Sequence, residues 1–267
     1  MADRDYKAFI VEGEAREPLI IDNISKVFFS HGNFKIITLP AGQNIYMLWK
    51  KLKEDDFDTD IIEVLREEHK ELEEQLTGLS REDFSEVYLF FDFDGHQNNL
   101  GVDDDGDVLE QMLINFDNET EHGKLYLSYP MEEALRDFEM GVCGNKENCF
   151  VMTGEIEKYK YLSAEHSKYP QFKEYDFEIW KNVMDVFAMR LSCRMKQEKT
   201  LTYEQYIEAM SPYEVLRLEK QDIQNNRVFV LSAFPEFLLD YFGRKLWKKC
   251  VKSTKKLFCN NFNIEMS

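Results

Sequence analysis

The chain has 267 residues, 43% of them apolar, and its 33 Lys and Arg against 51 Asp and Glu give a formal net charge of -18. That length accommodates one large domain or a core domain with a smaller second one, and the charge predicts a strongly acidic surface, which argues against a membrane-surface role. No apolar run approaches the roughly 18 residues a membrane span needs, and the opening MADRDYKAFIVEGE is too charged for a secretory signal. No membrane partner and a cytoplasmic location are therefore expected.

Strand and helix patterns alternate through the first half. DYKAFIVEG is a short β-rich run ending in glycine, and EPLIIDNISKVFF follows with apolar positions at helical spacing. NFKIITLP reads as a second strand closed by Pro40, and NIYMLWKKLKE as a helix. A long, largely exposed helix is expected from about Thr59 to Leu76, where apolar residues recur every three or four positions. EVYLFFDFDG is a continuous apolar run of the kind found in a strand buried on both faces. DVLEQMLINF is helical with Asp107 or Asp105 as its N-cap, GKLYLSYP is a fourth strand, and MEEALRDFEM is another helix. This order implies an α/β fold whose parallel sheet is built by right-handed crossovers.

From about residue 150 the pattern turns helical, through YDFEIWKNVMDVFAMRLSCRMK, LTYEQYIEAM, PYEVLRLEKQDIQ, FVLSAFPEFLLDYF and RKLWKKCVKSTKKLF, which gives a helical C-terminal module. The glycine-bearing stretch GVCGNKENCFVMTGE marks the boundary, so the expected domains are residues 1–140 and 150–267. Charge divides there too: residues 1–139 carry 34 acidic and 13 basic side chains, whereas residues 140–267 carry 17 and 20. An acidic half joined to a basic one fits a metal-using catalytic domain beside a module that touches a polyanion. Five cysteines with no CxxC pair and no zinc-like His spacing read as reduced thiols.

In an open parallel sheet, functional side chains collect at the carboxyl ends of the strands. Here the first strand ends in Glu12-Gly13 and the third in Asp92-Phe93-Asp94-Gly95. Residues i and i+2 of a strand share a face, so Asp92 and Asp94 project together and three carboxylates can meet at one edge. Converging carboxylates repel one another, and a divalent cation relieves this. Mg²⁺, or Mn²⁺ in its place, takes oxygen ligands and keeps several waters, which suits a few carboxylates and a substrate phosphate. His96, two residues past Asp94, is a candidate contact to a scissile phosphate or a leaving oxygen.

A Glu-Gly closing a first strand, followed by a later strand ending in Asp-x-Asp, resembles the signature of the Toprim fold shared by topoisomerases, primases and a group of nucleases. The resemblance covers roughly residues 5–140. It implies a Rossmann-like parallel sheet with flanking helices, with Glu12 as an acid/base or metal-associated group and Asp92 and Asp94 as Mg²⁺ ligands. VEGEAREP is also similar to the Glu-Gly-x-x-x-Glu-Pro opening of Toprim nucleases from bacterial anti-phage and abortive-infection loci, which makes Glu17 a further candidate ligand. Glu132 or Glu133, after LYLSYP, falls where such nucleases carry another acid. In size and layout the chain resembles the toxic nuclease subunits of two-component anti-phage systems, PARIS included. That resemblance implies a Mg²⁺-dependent endonuclease acting on nucleic acid, RNA such as tRNA or else DNA. It further implies control by an ABC-type ATPase subunit, which must be a separate protein because the chain has no Walker A motif, and a second copy of the chain is a further expected partner.

Two alternatives come from other classes. FFDFDGHQ is similar to the FDxDGT start of haloacid-dehalogenase-type phosphatases, in which Asp92 would be the nucleophile and Asp94 the general acid/base. Against it, the motif follows the third strand rather than the first, His96 replaces the threonine, and Asp103, Asp104 and Asp105 sit in a nearby polar loop rather than on a later strand. A non-catalytic Toprim-like binding subunit is the other. The acidic loop fails as an EF-hand, because alignment on Gly106 puts Gly101 and Met112 at ligand positions.

RKLWKKCVKSTKK, residues 244–256, has seven cationic side chains and no acid. On a helix Arg244, Lys248, Lys252 and Lys255 or Lys256 fall along one side, with Lys245 and Lys249 beside them. Leu246, Trp247, Cys250, Val251 and Leu257 then supply the packed side. Such a stripe suits a nucleic-acid backbone, or docking on the acidic half or on a protein partner.

Overall fold

Runs of β-branched and aromatic residues in the first half become the strands of one sheet, and the amphipathic runs between them become its covering helices. The computed structural model describes residues 6–93, 102–103, 106–138 and 149–252, apart from positions 31, 33, 55, 196 and 198. The chain divides into two compact units, Met1–Leu127 with Gln171–Glu174, and Ser128–Pro170 with Tyr175–Ser267.

The first unit runs β1 (Tyr6–Val11), α1 (Arg16–Phe28), β2 (Lys35–Pro40), α2 (Ile45–Glu54), α3 (Ile61–Glu68), α4 (Lys70–Gln75), β3 (Phe84–Asp92), a small hairpin of β4 (Val102–Asp103) and β5 (Gly106–Asp107), α5 (Val108–Asn115), β6 (Asp117–Asn118) and β7 (Gly123–Ser128). Its sheet has five strands in the order β2-β1-β3-β7-β6. β1 is parallel to both β2 and β3, and β6 runs antiparallel to β7. Ala8, Phe9, Ile10 and Val11 are wholly buried, as a central strand covered on both faces must be. The helices that cover it bury one stripe each: Glu17, Ile20, Ile21 and Ile24 in α1, and Ile45, Leu48, Trp49 and Leu52 in α2, both at i, i+3, i+4, i+7 spacing. The fold of this unit is α/β, with a mostly parallel sheet and flanking helices.

The single helix expected over 59–76 is broken. Asp60 caps α3, accepting from the backbone N–H of Ile62 (2.8 Å) and Glu63 (3.1 Å), and the chain turns extended at His69 (φ -124°, ψ 96°) before α4 begins. Between Leu65 and Leu72 no residue is buried, so this charged stretch has no apolar anchor to hold a straight helix on the core. The acidic loop behaves as its sequence suggests: Asp107 caps α5 by accepting from Glu110 N at 3.0 Å.

The second unit begins with a short 3-10 segment, Glu132–Arg136, where the pattern predicts an α-helix. It continues through β8 (Phe150–Met152), α6 (Ile156–His166), α7 (Phe177–Arg194), α8 (Tyr203–Ala209), α9 (Pro212–Gln224), β9 (Arg227–Phe229) and α10 (Ala233–Cys250). β8 and β9 pair antiparallel, so Phe229, at the head of a stretch that reads as helical, lies in a strand facing Phe150. Three-residue strands are too short to show a period, and their pairing joins distant parts of the chain, which is why the pattern misses them. α10 is split by Gly243, whose φ of 62° and ψ of -155° fall in a region essentially reserved for glycine. Cys149 and Cys250 are free, but Cys193 is disulfide-bonded, against the expectation that every thiol is reduced. Among the described residues no helix is long and apolar enough to cross a membrane.

Candidate active site

The first unit brings its acids to the carboxyl ends of adjacent strands. The residue pairs Val11 with Phe90 and Val11 with Pro40 bring β1, β3 and β2 to an end at the same edge. Glu12 extends the ladder by one bond, its N–H donating to Phe90 O at 3.2 Å. Its side chain then reaches across to the neighbouring strand end, where Glu12 Oε2 accepts from the backbone N–H of Asp92 at 3.1 Å. Glu12 and Asp92 therefore share one corner of the sheet edge, and Asp92 is half-buried.

Glu17 closes the same loop from the other side. It stands in the first turn of α1, where the helix dipole favours an acid, is 5% exposed, and accepts from Gly13 N at 2.9 Å. A Cβ on residue 13 would lie 2.9 Å from Glu17 Oε2 and 3.0 Å from Oε1, so only glycine lets the carboxylate close on the backbone here. The Glu-Gly-x-x-x-Glu spacing thus has a local cause: one glutamate fastens β1 to β3, and the next fastens α1 to the glycine between them.

A histidine that sequence reasoning missed borders this edge. Ala41 N donates to Val11 O at 2.7 Å, so the loop after β2 runs beside the Glu12 loop. His69 Cε1 and Glu14 Oε1 lie 2.9 and 3.3 Å from the point where Gly42 would carry a Cβ. In the sequence His69 is embedded in EEHKELEE and reads as part of a solvated helix; the missing apolar anchor on either side of it was the available signal.

Asp94 and His96 lie outside the described residues. Glu133 belongs to the second unit, where it is 2% exposed and its Oε1 lies 3.3 Å from Arg136 Nη2 and 4.0 Å from Lys160 Nζ. Among the described residues no group of three or more His, Cys, Asp or Glu is arranged to hold a metal ion. The donor chemistry of Glu12 and Asp92 nonetheless fits Mg²⁺ or Mn²⁺, because such hard cations take carboxylate oxygens, often only one or two from the protein, and fill the remainder with water and substrate phosphate.

No family model, curated protein or solved structure matches the chain.

The cationic segment is in the second unit. After the Gly243 break, Leu246, Trp247, Cys250 and Val251 are buried, and Trp247 packs on Tyr206 and Tyr203 with ring centroids 4.8 and 5.9 Å away. Arg244, Lys245, Lys248, Lys249 and Lys252 are exposed, and Arg244 pairs with Glu204. Lys255, Lys256 and Leu257 lie outside the described residues. Burial pushes the Cys250 thiol up to about 11 although Lys181 and Lys249 pull the other way, so this cysteine is a packing group rather than a nucleophile.

Proposed function

We propose that the chain is a Mg²⁺- or Mn²⁺-dependent Toprim-type endonuclease that cleaves tRNA or DNA, a toxic effector of anti-phage defence restrained by a separate ABC-type ATPase. What supports this reading most is the contact of Glu12 Oε2 with Asp92 N across two parallel strands. The Glu-Gly and Asp-x-Asp resemblance requires these two strand ends to be neighbours. A cation held by Glu12 and Asp92, with Asp94 as the third carboxylate of the motif, would polarise the scissile phosphate. Glu12 then has the position to take or return a proton at the attacking or leaving oxygen, and Glu17 keeps the loop that carries it closed. The exposed cations from Arg244 to Lys252 supply a face for the nucleic-acid backbone.

The test is cleavage of tRNA and of DNA by the purified chain in millimolar Mg²⁺, with Glu12→Gln and Asp92→Asn as variants. Each should lower cleavage by about 100-fold or more. In Glu12→Gln the side-chain amide retains an oxygen for the Asp92 N–H, so melting should stay near wild type. A haloacid-dehalogenase-like phosphatase has no use for Glu12. Hydrolysis of p-nitrophenyl phosphate that survives Glu12→Gln and is lost with Asp92→Asn would replace the nuclease reading with that one.

A further inference from the structure

A cavity of about 370 Å³ opens in the first unit between α2, α3, α5 and the turns that precede β3 and β7. Its volume is in the range of small-ligand sites. Arg81 lies just ahead of β3 and His122 just ahead of β7, so the cavity belongs to the amino ends of strands whose carboxyl edge carries Asp92. Along β3, nine residues long, the two ends are roughly 26 Å apart.

The walls are aromatic and held in place. The Phe57 ring stands 5.4 Å from His122 and 5.2 Å from Trp49, and Trp49 stands 5.8 Å from Phe116. Asp56 and Phe57 both have left-handed backbone angles, φ 53° and 63°, which a bulky residue such as Phe adopts only when its surroundings enforce it. The Phe57 N–H donates to Leu52 O at 2.8 Å and fixes that conformation. Strain of this kind collects at ligand clamps.

The polar groups select a ligand class. The Arg81 guanidinium is spent on backbone carbonyls, donating from Nε and Nη2 to Glu121 O (3.2 and 2.6 Å) and from Nη1 to Phe84 O (2.8 Å). Asp60 Oδ1 is used in capping α3. Asp60 and Glu121 are the two acids among the lining residues, Asp60 with Oδ2 outside the cap and Glu121 at the exposed rim, and both repel a phosphate. We propose that this cavity binds a flat heterocycle bearing an exocyclic amino group, of the adenine, cytosine or guanine kind, either as a free base or nucleoside or as an unpaired base of a single strand. Its π face stacks on Phe57, Phe116 and His122, and its amino hydrogens meet Asp60 and Glu121. This inference stands independently of the nuclease reading.

Calorimetric titration of the full chain, without metal, tests it with adenosine, cytidine, guanosine, uridine and a short single-stranded oligoadenylate. The amino-bearing nucleosides should bind at least about tenfold more tightly than uridine, which lacks the amino donor. Phe57→Asn, which keeps a residue at ease with a left-handed backbone, and Glu121→Gln at the exposed rim should each weaken adenosine by about tenfold. Binding of oligoadenylate tighter than adenosine and sensitive to the same variants assigns the site to a strand, and the reverse order assigns it to free nucleosides. Equal binding of adenosine and uridine, indifference to both variants with melting unchanged, or no binding at millimolar nucleoside would each overturn the proposal.

Discussion

The acids at the sheet edge of the first unit and Asp222 in the second meet different partners. The first unit, Met1–Leu127 with Gln171–Glu174, has 31 acidic and 13 basic residues, and the second has 20 of each, so the whole formal charge of -18 belongs to the first. In the second unit Asp222 faces two guanidiniums: it accepts from Arg227 Nε at 3.0 Å and lies 2.9 Å from Arg227 Nη2 and 2.7 Å from Arg194 Nη2. Asp137 accepts from the Tyr159 hydroxyl at 2.9 Å and lies 3.7 Å from the buried Arg190. In the first unit Glu12 and Glu17 are gripped by the backbone amides of Asp92 and Gly13. A guanidinium neutralises the acid it binds, whereas an amide orients the acid and leaves its charge in place. The contrast is therefore one between Asp222 as a structural counter-ion and Glu12 and Glu17 as oriented groups at a sheet edge, since the first unit also pairs Glu86 with Lys7 and the second also holds Asp185 on Lys252 N at 2.9 Å.

The largest expected effect sharpens that contrast from the cationic side. Changing Lys245, Lys248, Lys249 and Lys252 together to Glu should weaken nucleic-acid binding by two or more orders of magnitude at low salt. It should also flatten the log-log salt dependence by roughly 0.7 to 0.9 for each phosphate that is no longer neutralised. Filter binding at several salt concentrations reads both. An unchanged slope with altered melting would instead assign the stripe to protein docking.

Within the second unit, Arg194→Ala should cost about 3 kcal/mol or more in urea unfolding, because Asp222, 1% exposed, would keep only one of its two guanidiniums. Glu12→Gln should cost less than about 1 kcal/mol, since its amide bond survives. Similar costs for the two variants would break the distinction between counter-ion and aimed charge.

Gly243→Ala ranks next, at about 1–3 kcal/mol. Among the described residues a Cβ there would meet only the Tyr203 hydroxyl at an ordinary 3.5 Å, so the penalty is one of backbone conformation rather than crowding. Because Gly243 sets the direction of the Arg244–Cys250 turn, the variant should also weaken nucleic-acid binding, and unchanged unfolding would show that the break in α10 relaxes freely.

What could be read from the sequence follows from how directly burial is expressed in side-chain period. β1, β2, β3, α1 and α2 each announce a face or a continuous buried run, and the packed row Leu246, Trp247, Cys250, Val251 against the exposed lysines does the same. Asp107 was legible because an N-cap is a local device. The break at His69 had only the missing apolar anchor as its signal, which is weak because a charged run has helical propensity whether or not anything holds it to a core. The pairing of β8 with β9 and the cavity at Phe57 depend on chain segments far apart in sequence. At the candidate site the strand-end acids were legible from motif spacing, but the return of Glu17 to Gly13 N and the seat of His69 beside Gly42 arise only when the chain folds.

The smallest effect concerns an acid of the second unit that is held by a backbone amide, as Asp185 also is by Lys252 N at 2.9 Å. Glu219 is 1% exposed and accepts from Phe229 N at 3.1 Å. Burial drives its pKa well above the ordinary value of 4.5, and the Asp222 charge adds to this, against the pull of the Phe229 amide, Arg194 and Arg227. The folded state therefore keeps a proton that the unfolded chain releases. The stabilisation this gives is complete below the unfolded value near 4.5 and is lost as pH rises toward the folded one. A glutamine in its place keeps an acceptor for the Phe229 amide and never ionises, so Glu219→Gln should match wild type near pH 4 and gain on it by about 1 kcal/mol for each pH unit above that until the folded pKa is reached. Urea unfolding of both proteins from pH 4 to 8 reads the difference. Parallel curves would mean that Glu219 is ionised in the folded state, and that an amide with two nearby guanidiniums suffices to hold a buried charge. In that event the contrast between the units would rest on Asp222 and Asp137 alone.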